Sequence, residues 1–219
     1  MSSYYQGKNA TTYNSIWRTF NERTLAAAFA QVDIEQLQAV AQQAQRPLRV
    51  LDVACGTGLL LNTLLSRLPE VEAYGVDASA DMLTQARQQL QYYPHVQLQQ
   101  AMVGTGDTAG LPYAAHSFDL ITCTNVMHNL PDPKAVLQGL ANLLIPAGQL
   151  VLEDFAQRNT LFWPLVEWLI RRFDPWHVRG YTVYEARALC KQAGFVTCHA
   201  QMFDIDWLWH GWVLRSTRG

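Results

Sequence analysis

The stretch RVLDVACGTGLLL, Arg49 to Leu61, constrains the fold more than any other part of the chain. Branched apolar residues run continuously around a single aspartate, Asp52, as in a strand covered on both faces. Two glycines, Gly56 and Gly58, follow at once, and a leucine run then has the length and character of a helix packed on a sheet. A strand, a glycine turn and a helix in this order make a nucleotide seat, because backbone N–H groups meet a ligand where no side chain intervenes. The stretch therefore fixes one β–α unit and leaves open which nucleotide it holds.

The remaining pattern repeats that unit. The first 45 or so residues read as helical, with Asp33 and Gln36 at capping-box spacing ahead of Ile34, Leu37 and Val40. The leucine helix is expected to stop at Pro69, and VEAYGVD to follow as a strand. Ser79 caps a helix running to about Gln91; HVQLQQAMV and SFDLITCTNV are strands; Asp132-Pro133 opens another helix. GQLVLEDF is a strand, Thr182 and Glu185 form a second capping box, and Gly194 stops the helix they open. FVTCHAQMFDIDWLWHGWVLR reads as two strands around a short turn, with Trp207 and Trp209 on one strand face and Trp212 on the other. Strand and helix alternate from Arg49 onward, which predicts an α/β fold: a mostly parallel sheet with helices on both faces and a C-terminal antiparallel hairpin.

Three ligands compete for the glycine turn. A triphosphate loop needs a lysine and a hydroxyl residue after the second glycine, and GTGLLLN has neither. A dinucleotide turn wants a third glycine where Leu61 stands, and the helix start offers no basic residue for phosphate. A cationic nucleotide without phosphate suits Asp52, which the strand end places near a positive group. Charge points the same way. A net charge of −2 is a poor footprint for nucleic acid, so a small-molecule partner is expected and RNA disfavoured. Cys55, Cys123, Cys190 and Cys198 contain no C-x-x-C pair, so no metal is expected and reduced thiols in a cytoplasmic protein are the simplest reading. No secretory signal is recognisable, and TLFWPLVEWLI is too short to span a membrane.

VLDVACGTG resembles the first motif of class I S-adenosylmethionine-dependent methyltransferases, and further signatures follow in that family's order. YGVDASADML is similar to the second, whose acidic residue, here Asp77, holds both ribose hydroxyls; Met82 then packs beneath the adenine. GDTAGLPYAAHSFDLI resembles the third, with Asp107 accepting from the adenine amino group and the Thr108 backbone meeting the ring. LLIPAGQLVLEDF resembles the strand after the next helix, with the family's KPGG altered to Ile145-Pro146-Ala147-Gly148. The resemblance implies a Rossmann-like seven-stranded sheet and S-adenosyl-L-methionine as cofactor, held by Asp52, Ala54, Gly56, Gly58, Asp77, Ala78, Met82, Asp107, Thr108 and Asn125. It spans roughly Arg49 to Phe155, in the small-molecule subgroup. It implies a single domain in three parts: an N-terminal helical lid over 1–45, a cofactor-binding core over 46–155, and an acceptor-side cap with the hairpin over 156–219. A monomer or homodimer is expected.

His128, in NVMHNLPDP, follows a strand where the sheet's carboxyl edge faces the acceptor. It is read either as a general base for an acidic hydroxyl or thiol, or as a residue that merely starts the next helix. Six of the seven tryptophans lie beyond residue 160. Trp163 and Trp168 fall in the segment that covers the acceptor in this family, and an aromatic wall there suits a flat, apolar acceptor. Tyr5, Tyr13 and Trp17 are read as a lid or as a frayed end. The expected reaction is in-line attack of the acceptor on the sulfonium methyl. The alternatives are a non-catalytic S-adenosylmethionine-binding scaffold and a nicotinamide-dependent oxidoreductase.

Overall fold

The computed structural model of the chain describes residues 6–68, 70–104, 106–156, 163–174 and 176–219. Three helices lead: α1 (Lys8–Ile16), α2 (Arg18–Ala30) and α3 (Ile34–Ala44). Then come β1 (Leu48–Val53), α4 (Leu59–Arg67), β2 (Val71–Asp77), α5 (Ala80–Gln89), β3 (Gln97–Gln100) and β4 (Phe118–Thr124). A single 3-10 turn, Met127–Asn129, leads into α6 (Pro133–Leu143), β5 (Leu144–Phe155), α7 (Trp163–Phe173), α8 (Val183–Gln192), β6 (Phe195–Asp204) and β7 (His210–Arg218). The strands form one seven-stranded sheet in the order β3-β2-β1-β4-β5-β7-β6. Every pair from β3 to β5 is parallel, and β7 enters antiparallel between β5 and β6. The α/β class, the parallel core and the antiparallel C-terminal hairpin are thus those expected from the sequence.

Two apolar layers flank the sheet because its central strands alternate between them. Leu48, Val50, Leu120 and Val151 face one layer, with Leu60, Leu61, Leu64 and Leu83 of α4 and α5 and Ala28 and Leu37 of α2 and α3. Leu51, Val53, Ile121, Leu150 and Leu152 face the other, with Val136, Leu140, Ala186 and Cys190 of α6 and α8. Gly139 of α6 is required by close approach: a Cβ there would stand 2.0 Å from the Ala109 amide nitrogen. The turn at 106–111 therefore lies directly against the helix.

The caps follow the sequence with one substitution. Asp33 accepts from the Gln36 amide as expected, but the Asp33 amide donates to Gln149 of β5, at 3.0 Å, instead of to Gln36. Thr182 and Glu185 complete their capping box. Helix α4 ends at Arg67, and Pro69, the expected stop, lies outside the described residues, as does Tyr5. Trp207 and Trp209 do not share a strand face: β6 stops at Asp204 and β7 begins at His210. Asp206 turns the chain between them by accepting from the Leu208 and Trp209 amides, which leaves Trp207 89% exposed. Trp212 is buried on β7 and donates its indole N–H to the Tyr181 carbonyl. Helix α7 adds an element to those expected from the sequence, although Trp163, Val166 and Ile170 recur along it at helical spacing and share a small apolar cluster.

Candidate active site

The carboxyl ends of β1, β2, β4 and β5 converge on one edge, where α/β folds hold their ligands. After β1 the chain turns through Ala54 (φ 56°), Gly56 (φ 54°) and Gly58 (φ 79°) into α4. Ala54 is a non-glycine residue held in the left-handed region, a strained conformation of the kind that gathers at binding sites. The turn is pinned to β2 by the Cys55 amide, which donates to the Val76 carbonyl at 2.9 Å. Asp77, at the end of β2, accepts from the Gly56 amide at 2.9 Å and from the Ser79 amide at 2.8 Å. Burial raises its pKa and those two amides oppose the rise. Met82, on the first turn of α5, is buried and faces the Gly56 position.

Asp52 points from β1 into the α4 layer and is buried, with Thr122 of β4 donating to it at 2.6 Å. Desolvation pushes its pKa up to about 7, against the hydrogen bond from Thr122. Over this edge lies α1. Asn14 accepts from the Thr57 hydroxyl at 2.7 Å, and the Gly7 amide donates to Asp81 of α5 at 2.8 Å. Tyr13 lies within electrostatic reach of two of these strand ends: its pKa is pushed up to about 12, first by burial and then by Asp77, Asp174 and Glu153. Of the N-terminal helices, α1 covers the glycine turn, while α2 and α3 are part of the apolar layer under the sheet.

Asp107 and Thr108 are not brought to this group. The sheet strand β3 ends at Gln100, and the Ala101 amide donates to the Asp77 carbonyl at 3.0 Å, so residues 101–103 leave from the strand edge. The extra residues before Asp107 carry it away along α6. Asp107 is exposed, and its carbonyl accepts from Asn142 in the last turn of α6, the end that leads into the start of β5. The Thr108 hydroxyl donates to the Leu111 carbonyl within its own turn. Ala78 stays at the edge, where its carbonyl accepts from Gln100.

His128 sits in the 3-10 turn after β4, only 6% exposed. Asp154 of β5 grips it twice: the backbone amide donates at 2.9 Å, and ring Nδ1 lies 2.8 and 3.0 Å from the two carboxylate oxygens. A carboxylate that also accepts from the Phe155 amide is an acceptor throughout, so Nδ1 carries a proton, and in the neutral ring the lone pair stands on Nε2. The His128 carbonyl accepts from the Val178 and Arg179 amides, which fixes the segment before α8 against it. Around the ring stand Phe155 at 4.6 Å between centroids and His177 at 5.6 Å, and Phe155 in turn meets Trp209 at 5.6 Å. His177 is buried, and its Nε2 is 3.7 Å from Glu167, too long for a hydrogen bond. Burial lowers the His177 pKa, His128 lowers it further, and Glu167 opposes both.

Several buried polar atoms at this edge lack hydrogen-bond partners among the described residues: Asn125 Oδ1, Asn129 Oδ1, both Glu153 oxygens, Trp163 Nε1 and both His177 ring nitrogens. Asn125 (φ 53°) follows β4 directly and donates through Nδ2 to Thr24 of α2 at 3.1 Å. Orphaned buried groups are rare in folded chains, and each asks for a physical reason such as a ligand that completes it. Trp163 opens α7 and packs with Phe155, whereas Trp168 is exposed. Asp154, Glu153 and His177 join the site beyond the residues singled out from the sequence. The signal for two of them is visible there: Glu153 and Asp154 are adjacent acids at the end of a strand whose burial calls for apolar residues throughout. Among the described residues no group of three or more His, Cys, Asp and Glu side chains could hold a metal ion, and no helix is long and apolar enough to cross a membrane.

Residues 51–150 match the family described as a methyltransferase domain. The chain is 30% identical over 138 residues to the 2-phytyl-1,4-naphtoquinone methyltransferase of Thermosynechococcus vestitus, covering 63% of this chain and 56% of that one. It is 38% identical over 112 residues to the demethylmenaquinone methyltransferase of Deinococcus radiodurans, covering 51% and 45%. The chain thus spans about half the length of these two relatives. Among solved structures, the YcgJ protein of Bacillus subtilis superposes with a TM-score of 0.65 at 19% identity, over 84% of this chain and 98% of that one. At that identity the likeness is one of fold.

Proposed function

We propose, from the match of residues 51–150 to a methyltransferase domain, that the chain methylates a small, flat, quinol-type ring with S-adenosylmethionine as donor. The observation that carries this reading is the buried His128–Asp154 pair set against Phe155, His177 and Trp209. The two relatives above are named as methyltransferases of a phytyl-naphthoquinone and of demethylmenaquinone, and a flat ring of that kind suits an aromatic wall.

The glycine turn fits the adenosyl donor. Each Asp77 oxygen gives one lone pair to a backbone amide and keeps another for a vicinal diol. A Cβ added at Gly56 would meet nothing nearer than the Met82 methyl at 4.0 Å, so the backbone is open to a ligand. Asp52, Ala54, Gly56, Gly58, Asp77, Ala78 and Met82 would hold the cofactor, with Asn125 beside them. When bound, the cofactor supplies a methyl group already activated by positive sulfur. Asp77→Ala is expected to weaken its binding by about 1–3 kcal/mol, the scale of leaving polar partners unsatisfied. Calorimetric titration reads this directly; unchanged affinity would remove Asp77 from the ribose.

The side chains do the rest. His128 Nε2 takes the proton of the acceptor's ring hydroxyl, which makes the ring nucleophilic at oxygen or at the adjacent carbon. Asp154 balances the charge that the imidazole then carries. Phe155, Trp163 and Trp209 orient the ring and keep water from it. Incubation with methyl-labelled S-adenosylmethionine and a series of dihydroxynaphthalenes and dihydroxybenzenes should label the ring, as read by mass spectrometry. Binding of the donor with no transfer to any acceptor would favour a non-catalytic scaffold. Binding of a reduced nicotinamide in its place would favour an oxidoreductase.

A further inference from the structure

Glu153 has no part in the chemistry above, yet its burial demands a reason. It is 0% exposed, and neither carboxylate oxygen has a hydrogen-bond partner among the described residues. It extends the line of inward-facing residues on the α1–α5 side of the sheet. Thr122 pairs with Val151 in the parallel register of β4 and β5, and Thr124 pairs with Glu153 two residues further toward the ligand edge. Thr122 is the residue that binds Asp52, so Glu153 faces the same side of the sheet as Asp52. Its surroundings are neutral or acidic. Val213 of β7 is its cross-strand neighbour, α2 packs on β5 with Asn21 and Thr24 buried, and Asn125 stands beside it, its amide donating to the Glu153 carbonyl. Tyr13 of α1 lies within electrostatic reach of both Glu153 and Asp77. Asp154, next along the chain, adds negative charge.

A buried carboxyl without a partner costs free energy, and a fold retains one where an arriving group offsets that cost. The described groups named around it are neutral or negative, and burial together with Asp154 pushes its pKa well up, so a cation is the partner that would restore its charge. We propose that Glu153 seats the positive centre of the bound cofactor, its sulfonium or its α-ammonium. The proposal rests on the methyltransferase reading. A carboxylate there gives the site a preference for the charged donor over its neutral thioether product if it meets the sulfonium, and for both alike if it meets the ammonium.

The experiment compares S-adenosylmethionine and S-adenosylhomocysteine by isothermal titration on the wild-type chain, Glu153→Gln and Glu153→Met. Both variants keep the length of the side chain and remove a buried acid, so their unliganded melting temperatures should equal or exceed the wild type's. Loss of about fivefold or more in S-adenosylmethionine affinity is expected in both variants. If S-adenosylhomocysteine affinity is then unchanged, the partner is the sulfonium; if both fall alike, it is the ammonium. A smaller loss for S-adenosylmethionine in a folded variant overturns the assignment. A wild-type chain that binds neither ligand overturns the methyltransferase reading instead.

Discussion

His128→Ala is expected to lower turnover by about 10²–10⁴-fold, the range that a positioned acid–base group contributes, and to leave S-adenosylmethionine affinity unchanged. The size of the effect follows from how the ring is held. Asp154 accepts from ring Nδ1 and from the backbone amide together, so the neutral ring presents its lone pair at Nε2. Asp154→Asn should reproduce part of the loss with the imidazole still present, because an amide offers a donor where the histidine needs an acceptor. A histidine that only starts the next helix would lower the melting temperature and leave the turnover of the folded chain unchanged. That combination would reduce His128 to a structural residue.

Asp52→Asn is expected to stabilise the unliganded chain at pH 8 and to change it little at pH 4. In the folded chain burial raises the Asp52 pKa from 3.8 to about 7. An acid whose folded pKa lies above its unfolded one is favoured by folding only while it stays protonated. Its contribution is fully present below pH 3.8 and is lost as pH rises through about 7. A rise of that size corresponds to about 4 kcal/mol as an upper bound, because a tenfold change in proton affinity is worth about 1.4 kcal/mol. Asparagine keeps an acceptor for the Thr122 hydroxyl and carries no charge to bury. Thermal melts of both chains from pH 4 to 8 should therefore diverge upward with pH. Parallel curves would mean that Asp52 titrates as an ordinary carboxyl.

The fold is legible in the sequence because its signals are local and periodic. Continuous apolar runs mark the strands, and the residues that cap helices, Asp33, Ser79, Asp132 and Thr182, stand where their side chains bond the first turn. The glycine turn, Asp52 and Asp77 are legible for the same reason, being fixed by the residues beside them. What the sequence hides depends on loop length and on pairing at a distance. Asp107 departs from its expected place because a short insertion after β3 shifts the motif along α6, where Gly139 makes room for Ala109. The hairpin strands are shorter than their pattern suggests, since an aspartate that accepts from its next amides, Asp206, looks like any polar residue within a strand. His177 meets His128 only because the segment before α8 returns to the 3-10 turn through two backbone hydrogen bonds.

The place of β7 in the sheet has a consequence for how the chain is made. This strand supplies the antiparallel partner of β5 along its whole ligand-proximal half, from Gln149↔Thr217 to Phe155↔Gly211. Residues 210–218 are the last strand of this sheet to leave the ribosome, so during synthesis β5 is an open edge that carries Glu153 and Asp154 into water. Both carboxyls lose that hydration only when β7 docks. The His128–Asp154 pair and the buried acid are therefore assembled in the last step of building the sheet, long after the glycine turn has left the ribosome.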